Sequence, residues 1–315
     1  MSLLEVKNLN LGFNFARGFV QVLHDVSFSL NKGEMLAIVG ESGCGKTLSA
    51  MSILRLLPKN SEIKSGEILF QDENLLNKKE FQMQKIRGKN IALIPQDPMT
   101  SLNPLYTIEN QLLEVINLHQ PDVKNAREVA LKALNDVKIP NAEDRLKSYP
   151  HELSGGMKQR IIIAMALACN ADLIIADEPT TALDVTVQAQ IMKLLNDIKI
   201  EKNTAIILIT HDLGVVCENA DNVAVMYAGR VVEYSSKNEL FKNPKHPYTK
   251  ALFKSLPDMN SEKLNPIEGQ PPSIEEKIVG CPFNPRCSET LDVCFEKNPQ
   301  LKQNEKTLVA CWRCY

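Results

Sequence analysis

Apolar positions along this chain recur with two different periods. Near the start the rhythm is two: in Val26-Ser27-Phe28-Ser29-Leu30 apolar and small polar residues alternate, as in a strand with one buried face. Met35–Val39 is a short unbroken apolar run, which predicts a strand buried on both faces. A glycine-rich turn follows. Residues 47–57 then carry apolar side chains at helical spacing, with Pro58 as the predicted stop. Residues 66–70 and 91–94 are further strand candidates, and from about residue 107 to 168 the spacing is almost entirely helical. Strand and helix then alternate through 173–176, 185–200, 205–210, 222–227 and 231–234. Such alternation predicts an α/β fold with a mostly parallel sheet, helices on its faces, and a helical subdomain of about 98–168 inserted into it.

Composition shifts after residue 256. Residues 257–280 are rich in proline, glutamate and lysine and read as a linker, and residues 281–315 form a small cysteine-bearing extension to a body of residues 1–256. Of 315 residues 44% are hydrophobic, enough for a sizeable core, and the net charge of −2 argues against a dedicated nucleic-acid partner. The longest apolar run, residues 161–169, is far short of the ~20 needed to cross a bilayer. The opening MSLLEVKNLN lacks the charged-then-apolar pattern of a signal peptide. The expectation is a chain kept in the cytosol, serving a membrane only by docking to another subunit.

Residues 40–47 read GESGCGKT, a G-x-x-x-x-G-K-[ST] pattern with a buried strand before it and a helix after it. Glycines let backbone N–H groups converge on a phosphate, and the helix end near Lys46 adds its positive dipole. Lys46 supplies a cation to the β- and γ-phosphates, and Thr47 a hydroxyl to Mg²⁺. Leu173-Ile174-Ile175-Ala176-Asp177-Glu178 is an apolar strand ending in two acids, at the edge where parallel strands face their ligand. Asp177 is the candidate for holding Mg²⁺ and Glu178 for polarising the attacking water. His211 ends another apolar strand, where a neutral imidazole can sense a γ-phosphate. In LSGGMKQR, residues 153–160, Ser154 is an N-cap and Gly155 and Gly156 open an apolar helix running to Ala168. That is a second anion-binding helix end in one chain, redundant unless each serves a different nucleotide.

Here the sequence resembles the ABC ATPase family. LSGGMKQR is similar to its signature, Gln96 in IALIPQDP to its Q-loop glutamine, Ala182-Leu183-Asp184 to its D-loop, and His211 to its switch histidine. The resemblance implies the P-loop NTPase ABC fold, including an antiparallel N-terminal β region. It also implies a head-to-tail pair of ATPase subunits. Each ATP lies between one subunit's cradle (Gly40, Glu41, Ser42, Gly43, Cys44, Gly45, Lys46, Thr47 and Leu48) and the other's signature (Leu153, Ser154, Gly155, Gly156, Met157 and Gln159). Glu178 is then the general base, His211 braces the γ-phosphate, and Thr47, Gln96 and Asp177 hold Mg²⁺. Gln96 links the nucleotide to the helical block, which grips a helix of a membrane subunit. Family members stack an aromatic ring on adenine. Phe13 is the choice, with Phe15 and Phe19 as alternatives because residues 14–20 resemble an insertion, and core packing is the rival role for each. Two departures stand out: Cys44 at a variable cradle position, an added oxidation site, and Ile94-Pro95 where relatives carry phenylalanine before the glutamine.

QDPMTSLNP (96–104), GRVVEY (229–234), KHPYTKALFKSLP (245–257) and CPFNPRC narrow the resemblance to ATP-binding subunits of bacterial dipeptide and oligopeptide importers. This implies ATP hydrolysis coupled to peptide uptake, at the cytoplasmic face of the bacterial inner membrane. The implied partners are a second, different ATPase subunit, two permease subunits and an extracytoplasmic peptide-binding protein. An importer of nickel or another small solute is the alternative. A soluble ABC ATPase acting on DNA or ribosomes fits less well, because there is one cassette, no long heptad region and no basic stripe. A non-hydrolytic scaffold is disfavoured by the presence of Lys46, Asp177, Glu178 and His211.

Eight cysteines are present. Cys44, Cys169 and Cys217 read as scattered free thiols. Cys281, Cys287, Cys294 and Cys311 have the spacing C-x5-C-x6-C-x16-C, with Cys314 a spare or an alternative to Cys311. Four thiolates suit a [4Fe–4S] cluster or a zinc ion, with unliganded reduced thiols as the plain alternative. The spacing lacks the tight C-x2-C pairs of zinc ribbons, and relatives with this tail imply iron–sulfur in a structural role.

Overall fold

A computed structural model describes residues 2–181, 183–255, 267–274, 276 and 278–315. Ala182 of the D-loop motif, and residues 257–266, 275 and 277 of the predicted linker, lie outside the described residues. The chain divides into two compact units.

The first unit comprises Met1–Asn31, Met35–Leu76 and Thr210–Tyr315. Its amino-terminal strands Ser2–Phe15 and Gly18–Asn31 form an antiparallel pair, and Ser61–Phe70 and then Glu73–Asn74 extend the sheet beyond Ser2–Phe15. The expected antiparallel β region is thus present. Apolar alternation drives it: Leu4, Val6, Leu9 and Leu11 are buried, and a register shift between Val6 and Leu9 keeps them on the covered face.

The other sheet of this unit runs, strand by strand, Lys302–Asn304, Thr307–Val309, Arg230–Ser236, Asn222–Tyr227, Met35–Val39. Met35–Val39 is buried at all five positions and pairs parallel with Asn222–Tyr227. The return to Arg230–Ser236 is a tight hairpin in which a Cβ at Gly229 would run into the Val22 carbonyl oxygen, so only glycine fits. The carboxy-terminal extension supplies the last two strands, with Glu233 paired to Val309 and Tyr234 to Leu308. It also supplies Phe283 to the core, where the ring meets Tyr227 at 5.2 Å and Tyr248 at 5.4 Å, edge to face.

The second unit comprises Lys32–Glu34 and Asn77–Ile209. Ile91–Ile94, Leu173–Asp177 and Ala205–Ile209 pair in parallel, in that order. Five helices lie between the first two strands: Pro98–Ser101, Ile108–His119, Ala126–Asp136, Ala142–Leu146 and Gly155–Ala168. Thr107 and Asn125 cap two of them by accepting from the N–H three residues on. Gly155–Ala168 packs against its two longest companions, which is why it is apolar almost all round.

Candidate nucleotide site

In the first unit the buried strand Met35–Val39 delivers the chain into the loop 40–45, and the helix Lys46–Leu54 leaves it. Gly40, Gly43 and Gly45 all have positive φ, of 150°, 78° and 99°. At Gly40 a Cβ would strike the Met226 carbonyl oxygen, and at Gly45 it would approach Leu23 Cδ2 at 2.7 Å, so the loop needs glycine at both positions. The helix starts without a side-chain cap among the described residues, and the positive end of its dipole faces the loop. Ser42, Gly43 and Thr47 are exposed and Leu48 is half-buried.

Lys46 is only 7% exposed. Its Nζ curls back over the loop and donates to the carbonyls of Gly40 (2.9 Å) and Glu41 (3.0 Å). These bonds hold the cation over the loop. Cys44 departs from the expectation of an oxidation site: it is buried, and burial pushes its thiol up, so the reactive thiolate is disfavoured.

Two residues unforeseen in the sequence grip this loop. The Glu41 N–H donates to the Tyr248 hydroxyl at 3.0 Å. The Glu41 carboxylate takes a two-pronged ion pair from Arg286, at 2.7 and 3.0 Å. His211 is exposed in the turn before the helix Leu213–Asn219, which Asp212 caps by accepting from Gly214 and Val215. The phenylalanines separate. Phe13 is half-buried and lies 6.2 Å from Phe15, which is 49% exposed, while Phe19 carries the Lys64 ammonium over its ring.

In the second unit, neighbouring parallel strands end side by side, and Gln96 meets Glu178 there. The Gln96 amide donates to Glu178 Oε2 at 3.0 Å, and the Thr181 hydroxyl donates to the same oxygen at 2.9 Å. Glu178 has φ 45°, the left-handed region, and its N–H is tied to the Ile209 carbonyl. An acidic residue held there is a strained turn, of the kind that accumulates at functional sites. Asp177, one residue earlier, is buried at the strand end. Thr181 was not foreseen; an acceptor-only carboxylate three residues before a threonine was the available signal.

Ser154 caps the helix Gly155–Ala168, accepting from the Met157 N–H. Leu153 is buried and Ser154 exposed, and Gly156 is required because a Cβ would approach Val187 Cγ1 at 2.9 Å. Asp184 caps the next helix by accepting from Val187. Gln159 departs from expectation. It is 1% exposed, so its side chain points into the unit rather than out towards a partner's nucleotide. Helical period explains this: Gln159 falls on the face shared with Ile162 and Ile163, both buried.

Cys281, Cys287, Cys294 and Cys311 all line one cavity of about 10 Å³ in the first unit, together with His246 and Trp312, and Cys314 does not. Burial pushes the thiols of Cys281 and Cys311 up to about 11 and about 12. Among the described residues no three acidic, histidine or cysteine side chains are grouped to hold a single metal ion.

A strand, a positive-φ glycine loop and a helix carrying lysine and threonine in one unit, and a strand ending in Asp-Glu in the other, define a P-loop ATPase. The ABC transporter family pattern matches residues 23–181, and that of the oligopeptide/dipeptide transporter C-terminal region matches residues 232–294. The chain is 50% identical to the probable peptide ABC transporter ATP-binding protein y4tR of Sinorhizobium fredii, over 99% of this chain and 95% of the relative. It is 48% identical to the dipeptide transport ATP-binding protein DppD of Bacillus subtilis, over 98% and 94%. Among solved structures, the dimeric MJ0796, a bacterial ABC transporter cassette, matches with TM-score 0.66 and 26% identity, covering 74% of this chain and 98% of that one. The chain therefore belongs to the ABC transporter family, as an ATP-hydrolysing subunit. No helix among the described residues is long and apolar enough to cross a membrane.

Proposed function

We propose that this chain drives uptake of di- and oligopeptides across the bacterial cytoplasmic membrane. It acts from the cytoplasmic face, paired with a second, different ATPase subunit and docked on two permease subunits fed by an extracytoplasmic peptide-binding protein. The observation that carries the reading is the extension. Residues matching the oligopeptide/dipeptide transporter region are built into the sheet and core of the nucleotide-loop unit rather than appended to it.

Glu178 takes the role of general base, its carboxylate oriented by the Gln96 amide and the Thr181 hydroxyl so that a water bonded to it is aimed along one direction. Lys46 exchanges its bonds to the Gly40 and Glu41 carbonyls for phosphate oxygens. Asp177, Thr47 and Gln96 are oxygen donors suited to Mg²⁺, which when bound neutralises charge on the phosphates. His211 braces the γ-phosphate. Leu153, Ser154, Gly155, Gly156 and Met157 present the second helix end to the partner's nucleotide, and Phe13 is the ring for adenine. Reconstitution of the chain with two permease subunits and a second ATPase subunit tests the assignment. Hydrolysis stimulated by peptide-loaded binding protein is expected, and stimulation only by a nickel-loaded one would overturn the cargo class.

Four cysteines on one cavity are what supports a [4Fe–4S] cluster, with zinc as the alternative, and a cavity of about 10 Å³ must widen to take the cluster. Zinc draws four thiolates to within about 2.3 Å of one point, whereas a cluster spreads them over separate irons. A bound cluster would add a structural cross-link between the segments that carry Cys281, Cys287, Cys294 and Cys311. Anaerobically purified protein is expected to carry iron, sulfide and visible absorbance. Colourless, metal-free and fully folded protein would refute the cluster.

A further inference from the structure

We propose that Arg286 is a positioning residue for the nucleotide loop, through which the carboxy-terminal extension sets the loop's readiness for ATP. This rests on the reading of Gly40–Thr47 as the phosphate cradle and goes beyond it.

Glu41 is the second residue of that loop, and three of its groups are committed. Its carbonyl accepts from Lys46, its N–H donates to Tyr248, and its carboxylate is held by Arg286. The guanidinium side chain is 4% exposed, and every one of its nitrogens is engaged. Nε donates to the Glu268 carbonyl (2.9 Å), one terminal nitrogen to Glu41 and the Tyr227 hydroxyl (3.3 Å), and the other to Glu41 and the Ile267 carbonyl (3.3 Å). A planar fork with all its donors fixed has little freedom left, so it transmits position rather than merely attracting charge.

Arg286 ends the short turn Asn284–Arg286, three residues after the core ring Phe283 and between Cys281 and Cys287. Phe283 packs on Tyr227 and Tyr248, and those two rings lie 4.6 Å apart. The extension therefore reaches the loop by two routes that meet at Glu41: a packed aromatic path ending in the Tyr248 hydroxyl, and the Arg286 fork. Whatever fixes the thiols on either side of the turn also fixes Arg286.

When ATP binds, Lys46 must release the Gly40 and Glu41 carbonyls. A loop anchored at Glu41 from outside keeps its N–H groups converging while the lysine swaps partners. An unanchored loop must be ordered by the nucleotide itself, at the expense of affinity. The effect falls on binding, because the water-activating carboxylate belongs to the other unit.

The test measures ATP affinity and steady-state hydrolysis for Arg286→Ala, Glu41→Gln, Lys46→Ala and the charge exchange Arg286→Glu with Glu41→Arg, in the full chain with melting temperature followed in parallel. Arg286→Ala and Glu41→Gln are each expected to weaken ATP binding by about threefold to tenfold, raising KM with kcat nearly unchanged, and the charge exchange to recover most of the loss. Glu41→Gln leaves the extension intact and reads the clamp even where Arg286→Ala lowers the melting temperature. Folded Glu41→Gln protein with wild-type ATP affinity would overturn the proposal. Unchanged ATP affinity in Lys46→Ala would overturn the cradle reading instead, so the two failures are distinguishable.

Discussion

The Gln96 amide and the Thr181 hydroxyl both donate to Oε2 of Glu178, at 3.0 and 2.9 Å, which fixes the carboxylate's rotation. Gln96→Ala removes one of the two donors without touching the base. The expected outcome is a kcat lowered by about tenfold, less than the roughly 10²–10⁴-fold that the proton acceptor itself contributes, with a smaller change in KM. Steady-state ATPase assays check it; a change confined to KM would mean that Gln96 acts on binding and not on Glu178.

Phe283 is 1% exposed and stands among Tyr227, Tyr248 and His246. Truncating a buried phenylalanine to alanine costs about 3–5 kcal/mol through lost contacts and the cavity left behind. Phe283→Ala is therefore expected to lower the denaturant midpoint of the nucleotide-loop unit, not only to loosen residues 281–315. If chemical denaturation showed a free extension melting early and a body of unchanged midpoint, the shared core would be disproved.

His246 gives the same region an acid limit. Its Nδ1 accepts from the Tyr248 backbone N–H at 3.0 Å, and the His246 backbone N–H donates to the Glu233 carboxylate. Burial holds its pKa down from 6.5 to about 3, with the nearby Lys250 charge acting in the same direction. The folded value lies below the unfolded one, so the unfolded chain takes up a proton that the folded chain refuses. The stabilisation is complete above about pH 6.5 and is lost progressively as pH falls towards 3. Glu233, whose pKa burial raises above 4.5, works in the opposite sense: the stability it contributes is present at low pH and is lost as pH rises. His246→Asn keeps an acceptor for Tyr248 but cannot titrate. Comparing melting temperatures of the two proteins from pH 7 to 4 isolates the histidine: the wild-type curve is expected to fall more steeply, and parallel curves would contradict the assignment.

Local pattern was enough for the nucleotide loop. Met35–Val39 is a strand because all five residues are apolar, and Gly40, Gly43 and Gly45 take the positive φ values that their spacing implied. The helix after it is shorter than its apolar spacing predicts. It ends at Leu54, where Arg55 turns left-handed with φ 53° and donates to Met51 and Ser52, so the stop comes before Pro58 is reached. Ser154 capping Met157 followed from a serine before two glycines. What could not be read was pairing across long separations. Nothing near Glu41 announces Arg286, 245 residues away, and nothing near Glu233 announces Val309. Membership of the signature segment predicts that Gln159 faces a partner, but the helical period places it inside. Motif membership reports which residues travel together; the face of the helix decides which of them reach a ligand.

The most direct measurement is the behaviour of Glu178→Gln with MgATP. The exchange keeps the shape and both incoming hydrogen bonds' geometry but removes the proton acceptor. The account predicts that the variant binds ATP, hydrolyses it at a small fraction of the wild-type rate, and elutes as an ATP-dependent pair, with either a second copy or its partner ATPase. Wild-type turnover by the folded variant would contradict it.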